Sequence, residues 1–174
     1  MLIQELHFIK ECIILPQKTS MMETQEFLEY EIDRPMSSKN HARVETRIAT
    51  LLSLGYEEQY DILSQVSLQL KEKYTPDISI FPLMEYDWSE DEIRLSIPPI
   101  TTIEIISPKQ ALTDVTDKIY KDYFPSGVQS AWVVIPTLRS IHILLPDQSI
   151  LTFTSGKLHD PVTNIEIEVG AIFK

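Results

Sequence analysis

Two acids stand where buried strands would more easily carry aliphatic side chains. Asp77 follows Pro76 and opens the run Asp77-Ile-Ser-Ile-Phe81, and Glu104 interrupts Thr101-Thr-Ile-Glu-Ile-Ile106. They lie 104 − 77 = 27 residues apart, with an acidic stretch between them. A carboxylate on a buried strand is costly unless it is protonated, paired or bound to a cation. A hard divalent ion such as Mg²⁺ (or Mn²⁺) satisfies two carboxylates at once and keeps several waters. Such an ion polarises a phosphoryl oxygen and lowers the pKa of a bound water. A neighbouring lysine can orient that water or offset charge on phosphorus. These residue types therefore suit phosphodiester hydrolysis. The plainer readings are a turn aspartate after proline and an edge-strand glutamate facing solvent.

Rival chemistries are missing from the chain. It has no GxSxG, no P-loop and, with four glycines, no GxGxxG loop. One cysteine and four scattered histidines make no zinc motif. His41 and Glu45 are spaced i, i+4 on an expected helix and can reach the same cleft. The alternative is a helix-start histidine with a solvated neighbour. Trp132 reads as core, and the acids between Glu85 and Glu92 read as a solvated loop rather than a second metal site.

The elements that must position these residues follow from periodicity. Ser37 or Ser38 can cap a helix that runs to about Leu54, with Val44, Ile48, Leu51 and Leu52 on one face and Gly55 as its stop. Residues 59–70 read as a strand, Lys71 to Lys73 as a turn, and 77–81 as a strand. Residues 82–99 read as an irregular excursion, extended from Glu92 to Ile97 at most. A strand at 101–106, a helix at about 112–124 and a strand at 128–135 make a βαβ unit, with Pro125 and Gly127 ending the helix. Ala131-Trp-Val-Val-Ile135 is apolar on both faces, as a central parallel strand is. Two further strands are expected at 140–145 and 149–154, and an alternating segment at 165–169. Met22 to Glu31 reads as a short helix. The expected class is α/β, a mixed β-sheet flanked by α-helices.

The chain has 174 residues, 43% of them hydrophobic and 24% charged, which suits one soluble domain with a sizeable core. Its net charge of −11 argues against a broad basic surface for nucleic acid, though not against phosphate met through a metal. The apolar start, Leu2 to Leu15, is broken by Glu5, Lys10 and Glu11, so neither a membrane span nor a signal peptide is expected. Cys12 has no intrachain partner, which fits a cytoplasmic setting.

Taken in order, Met36-Ser-Ser-Lys-Asn-His41, Pro76-Asp77-Ile-Ser-Ile80, Glu104-Ile-Ile-Ser-Pro108, Asp117-Lys118, Tyr123-Phe124 and Gly127-Val-Gln-Ser-Ala-Trp132-Val-Val-Ile-Pro136 resemble the Uma2 family. That family belongs to the restriction-endonuclease-like PD-(D/E)XK superfamily. The resemblance covers about residues 22–173, leaving 1–21 as an N-terminal extension or edge strand beside a restriction-endonuclease-like domain at 22–174. It implies Mg²⁺ held by Asp77, Glu104 and the backbone carbonyl of Ile105. It also implies hydrolysis of DNA, by a homodimer if both strands are cut. The superfamily lysine expected two residues after the glutamate is Ile106 here. The Uma2-like pattern implies that Lys118, on the following helix, replaces it. Of the neighbouring lysines, Lys118 projects about 60° from Val115 and Lys121 about 120°, on a helix whose buried stripe is expected at Leu112, Val115, Ile119 and Tyr123. Gln65 stands where many relatives carry an acid. Tyr123 either lines the site or packs the helix on the sheet. A catalytically silent module that acts through protein association is the alternative function. The charge and Ile106 favour it; the two acids and Lys118 favour the nuclease.

Overall fold

A computed structural model describes residues 38–174 of the chain. The expectations for residues 1–21, for Cys12 and for a helix at 22–31 lie outside the described residues.

Helix α1 spans Lys39–Tyr56. Ser38 is its N-cap: the backbone is extended there, and the hydroxyl accepts the His41 N–H at 3.3 Å. Val44, Ile48 and Leu52, four residues apart, are buried against the sheet. Each contributes roughly 1.5–3 kcal/mol of apolar burial. The helix does not stop at Gly55. It runs on to Tyr56 and leaves through Glu57 in a right-handed conformation, its N–H bonded to Ser53 O. No left-handed residue is needed at this exit, so the freedom of glycine goes unused.

The strands are β1 Tyr60–Ser64, β2 Leu68–Gln69, β3 Lys73–Tyr74, β4 Ile78–Pro82 and β5 Thr101–Ile105. The single strand expected over 59–70 is thus two. The chain breaks at Gln65, whose φ of 55° lies in the left-handed region. There Gln65 N–H donates to Asp77 O at 3.0 Å. Residues 83–97 run almost wholly exposed, and the extended stretch expected at Glu92–Ile97 shrinks to one bridge, Leu95 to Leu68.

Helix α2, Leu112–Lys118, continues through one π-helical turn at Ile119–Tyr123 and a 3-10 turn at Phe124–Ser126. Pro125 lies within that last turn rather than beyond it. Gly127 ends it at φ 110°, where a Cβ would also come within 3.1 Å of the Pro98 ring. Val115, Ile119 and Tyr123 are buried, but Leu112 is 47% exposed and does not join their stripe. It holds the first helical position, ahead of the turns that meet the sheet.

The chain then forms β6 Ser130–Ile135, β7 Ser140–Leu144, β8 Ile150–Phe153, β9 Lys157–His159, β10 Glu166–Glu168 and α3 Val169–Ile172. The main sheet has the order β1-β4-β5-β6-β7-β8. Only β5 and β6 pair in parallel; the other neighbours are antiparallel. The architecture is therefore a mixed, mostly antiparallel sheet with helices. The segment expected at 165–169 does not extend this sheet but pairs with β9 in a separate hairpin.

Alternation along the strands gives the sheet two cores. Ile78, Ile80, Ile103, Trp132 and Val134 pack with α1 residues such as Ile48 and Leu52. Ala131 and Val133 pack with Val115, Ile119 and Tyr123 of α2. No helix among the described residues is long and apolar enough to cross a membrane.

Candidate functional site

The site lies where β4 begins and β5 ends. Ile78 pairs with Ile103, so continuing that antiparallel register by one residue sets Asp77 against Glu104. Two acids 27 positions apart in sequence thus become neighbours without any long loop having to place them.

Asp77 is fixed through both oxygens. Its Oδ2 accepts the Ile105 backbone N–H at 2.7 Å and lies 3.1 Å from His41 Nε2. Its Oδ1 accepts the Gln65 amide at 3.2 Å. Glu104 is fixed from α2, and its side chain is 7% exposed. Lys118 Nζ reaches its Oε1 at 2.8 Å, and the Tyr123 hydroxyl donates to the same oxygen at 2.7 Å. No hydrogen bond from the described residues reaches Oε2, which leaves an acceptor for another partner. Burial is the largest influence on this carboxyl and raises its pKa; Asp77 adds to the rise, while Lys118 and Tyr123 oppose it. Burial also raises the Tyr123 hydroxyl, helped by Glu104, so Tyr123 remains a donor at neutral pH.

Two further elements close around the pair. From α1, His41 is buried, with Nε2 toward Asp77 and Nδ1 3.7 Å from Glu45 Oε2. The hydrogen bond to Asp77 is the largest influence on His41 and raises its pKa; burial lowers it, and the surrounding acids add to the rise. Glu45 Oε1 accepts the Gln65 amide at 2.9 Å. Below α2, the Tyr123 ring meets Tyr74 edge-on at 5.3 Å, and the Tyr74 hydroxyl donates to Asp122 at 2.7 Å. Lys71 approaches Asp122 at 3.5 Å.

The donor set fits a divalent cation. It offers carboxylate oxygens from two elements and an imidazole nitrogen, all anchored by hydrogen bonds. Among the described residues, ligand atoms of His41, Glu45 and Asp77 lie within 4.8 Å of one another. Glu104 stands outside that trio, drawn toward Lys118 and Tyr123.

A family model for Uma2, described as "Putative restriction endonuclease", matches residues 19–168. The chain belongs to the Uma2 family. A solved structure, a "putative nuclease belonging to DUF820" from Anabaena variabilis ATCC 29413, is similar in fold. Its TM-score is 0.66 and its identity 21%, over 80% of this chain and 83% of that one. No curated protein matches.

Within this Uma2 fold, the candidate site residues read from the sequence lie in or against one cluster. Asp77, Gln65, Glu45 and His41 form one half; Glu104, Lys118 and Tyr123 form the other. Ile105 meets the cluster through its backbone N–H to Asp77. Lys121 turns away, 68% exposed, and pairs with Asp117 one helical turn back. Gln65 is more than a missing acid: its amide ties Glu45 to Asp77, and Glu45 brings a carboxylate from α1 to that side. Sequence reasoning missed Tyr74 and Asp122. The one available signal was a tyrosine three residues before Asp77 and an acid beside Tyr123. It also missed Ser79 and Thr102, a cross-strand pair beside the two acids whose buried hydroxyls have no partner among the described residues.

Proposed function

We propose that this Uma2 protein is a metal-dependent endonuclease that hydrolyses DNA phosphodiester bonds. The observation that carries the reading is the approach of Lys118 Nζ to within 2.8 Å of Glu104 Oε1, beside Asp77 on the neighbouring strand. Two acids and a lysine of this arrangement match the chemical needs of phosphodiester hydrolysis.

Asp77 and Glu104 would hold the cation, Mg²⁺ or Mn²⁺, with the Ile105 carbonyl as a third protein ligand. A cation held there would supply Lewis-acid polarisation of a phosphoryl oxygen and a more acidic water. The remaining work falls to the protein. Tyr123 and Lys118 both bind Oε1 of Glu104, which orients the carboxylate and keeps Oε2 presentable. The Ile105 N–H and Gln65 do the same for Asp77. Lys118 is 22% exposed, so its ammonium, which lies 5.4 Å from the centre of the Tyr123 ring, can also meet solvent and a phosphate. There it offsets the negative charge that builds on the phosphoryl oxygens as water attacks and the P–O bond to the leaving oxygen breaks. Two copies acting together would cut both strands of a duplex, and the reducing cytoplasm would suit a chain with one thiol.

The test uses purified full-length protein with plasmid and single-stranded DNA. With Mn²⁺ the DNA should be nicked or degraded, and EDTA should stop it. Cutting that survives undiminished in Asp77→Ala comes from a contaminant. Failure to cut any DNA while the metal binds normally would favour the association module instead.

A further inference from the structure

We infer that His41 is itself a ligand of the cation, through Nε2, with Glu45 behind its Nδ1, so that the site takes Mn²⁺ in preference to Mg²⁺. This rests on the reading of Asp77 as a metal ligand and goes beyond it in the identity of the ligands and of the ion.

Three observations converge on the imidazole. First, it is built in rather than draped over the surface. His41 is 6% exposed, in the first turn of α1, and its N–H is bonded to the Ser38 cap. Second, its two nitrogens face different acids, Nε2 at 3.1 Å from Asp77 Oδ2 and Nδ1 at 3.7 Å from Glu45 Oε2. Adjacent ligands around an octahedral ion with bonds of about 2.1 Å stand roughly 3 Å apart. The Nε2 to Oδ2 separation is that of two neighbouring ligands. Third, a metal-bound imidazole commonly directs its other N–H at a carboxylate, which fixes the tautomer and the ring plane. Glu45 is the carboxylate on that side, 3.7 Å from Nδ1 and so a small shift from hydrogen-bond distance, and it is itself held by Gln65, whose amide also bonds Asp77. The ring, both acids and the amide thus form one braced unit.

The competing account makes His41 a cation that merely pairs with two acids. It explains the burial and both approaches, but predicts no preference between metals. A nitrogen ligand does. Mg²⁺ strongly favours an all-oxygen shell, whereas Mn²⁺ and the later divalent ions accept imidazole readily.

The experiment reads ligation, not cutting. Full-length protein is loaded with Mn²⁺, and pulsed electron paramagnetic resonance is searched for ¹⁴N coupling to the ion. Calorimetry gives Mn²⁺ and Mg²⁺ affinities for the wild type, His41→Gln, Glu45→Gln and Asp77→Ala. The expected result is nitrogen coupling in the wild type that disappears in His41→Gln. Mn²⁺ affinity should fall about 10-fold or more in both His41→Gln and Glu45→Gln, with Mg²⁺ affinity changing less in His41→Gln. Mn²⁺ bound in an Asp77-dependent way without nitrogen coupling overturns the inference but leaves the two-acid site standing. That outcome needs only the wild type and Asp77→Ala, so it holds even if His41→Gln misfolds. Mn²⁺ binding indifferent to Asp77→Ala removes both readings together.

Discussion

Two buried carboxylates lie at opposite ends of the parallel pair β5–β6, and they are satisfied in different ways. Asp160, fully buried, faces the strand starts. Its Oδ2 accepts Trp132 Nε1–H and the Ser130 hydroxyl, each at 2.8 Å, and its Oδ1 accepts the Val162 N–H at 2.9 Å. Glu104 lies at the end of β5, on the face covered by α2, with both its bonds on one oxygen and one of them from an ammonium. Neutral donors on both oxygens leave Asp160 nothing further to bind, and its bonds tie the β9–β10 hairpin to the sheet. A lysine and a tyrosine on one oxygen leave Glu104 an acceptor to offer. Two acids that are alike in burial therefore differ in what they can still accept, and the difference lies in the distribution of their partners.

The largest expected effect breaks the comparison at the functional end. Asp77→Ala or Glu104→Gln should lower Mn²⁺-dependent cleavage by about 10³-fold or more, since several kcal/mol of transition-state stabilisation go with the metal. Denaturant midpoints should confirm that both variants still fold. Near-wild-type cleavage by either would show that the acid is structural, as Asp160 is.

The converse substitution sits next in size. Asp160→Ala strands the Trp132 N–H in the core and leaves the Ser130 hydroxyl with Thr101 as its partner. Unfolding free energy should fall by about 2–4 kcal/mol, while the protein that remains folded binds Mn²⁺ as before. Weakened metal binding with unchanged stability would reverse the two roles.

Lys118 sharpens the contrast within one helix. Lys118→Ala should cut more slowly by about 10²-fold at saturating Mn²⁺, with metal affinity kept. Lys121→Ala, whose ammonium pairs with Asp117 in solvent, should cut like the wild type. Equal rates for Lys118→Ala and wild type would move the search to Lys109.

Tyr123→Phe is the smallest test. It preserves the packing against Tyr74 and removes only the bond to Glu104 Oε1. A loss of about 1 kcal/mol in stability should accompany a roughly 10-fold slower cleavage. A change in stability alone would assign the hydroxyl to packing.

The sequence by itself determined the strand pair, its two acids and the two flanking helices. Alternation and helical spacing are local, so the acid at 104 within an apolar strand and a helix cap at Ser37 or Ser38 could be read directly. The α2 projection also set Lys118 apart from Lys121 before any coordinates. Only the tertiary structure decided how the site divides. His41 and Asp77 are 36 residues apart, and no local rule says that an imidazole on α1 meets an aspartate at the start of β4. The break at Gln65 was equally hidden, because a left-handed glutamine follows from its bonds to Asp77 and Glu45 rather than from its own preference. The same holds for Asp160. In sequence it is one acid before a proline, and its burial exists only because Trp132 and Ser130 converge on it from another strand. Side-chain periodicity is fixed by the backbone of one element. Partner choice is fixed by the packing of several, and that is how residues distant in sequence come to share one cluster.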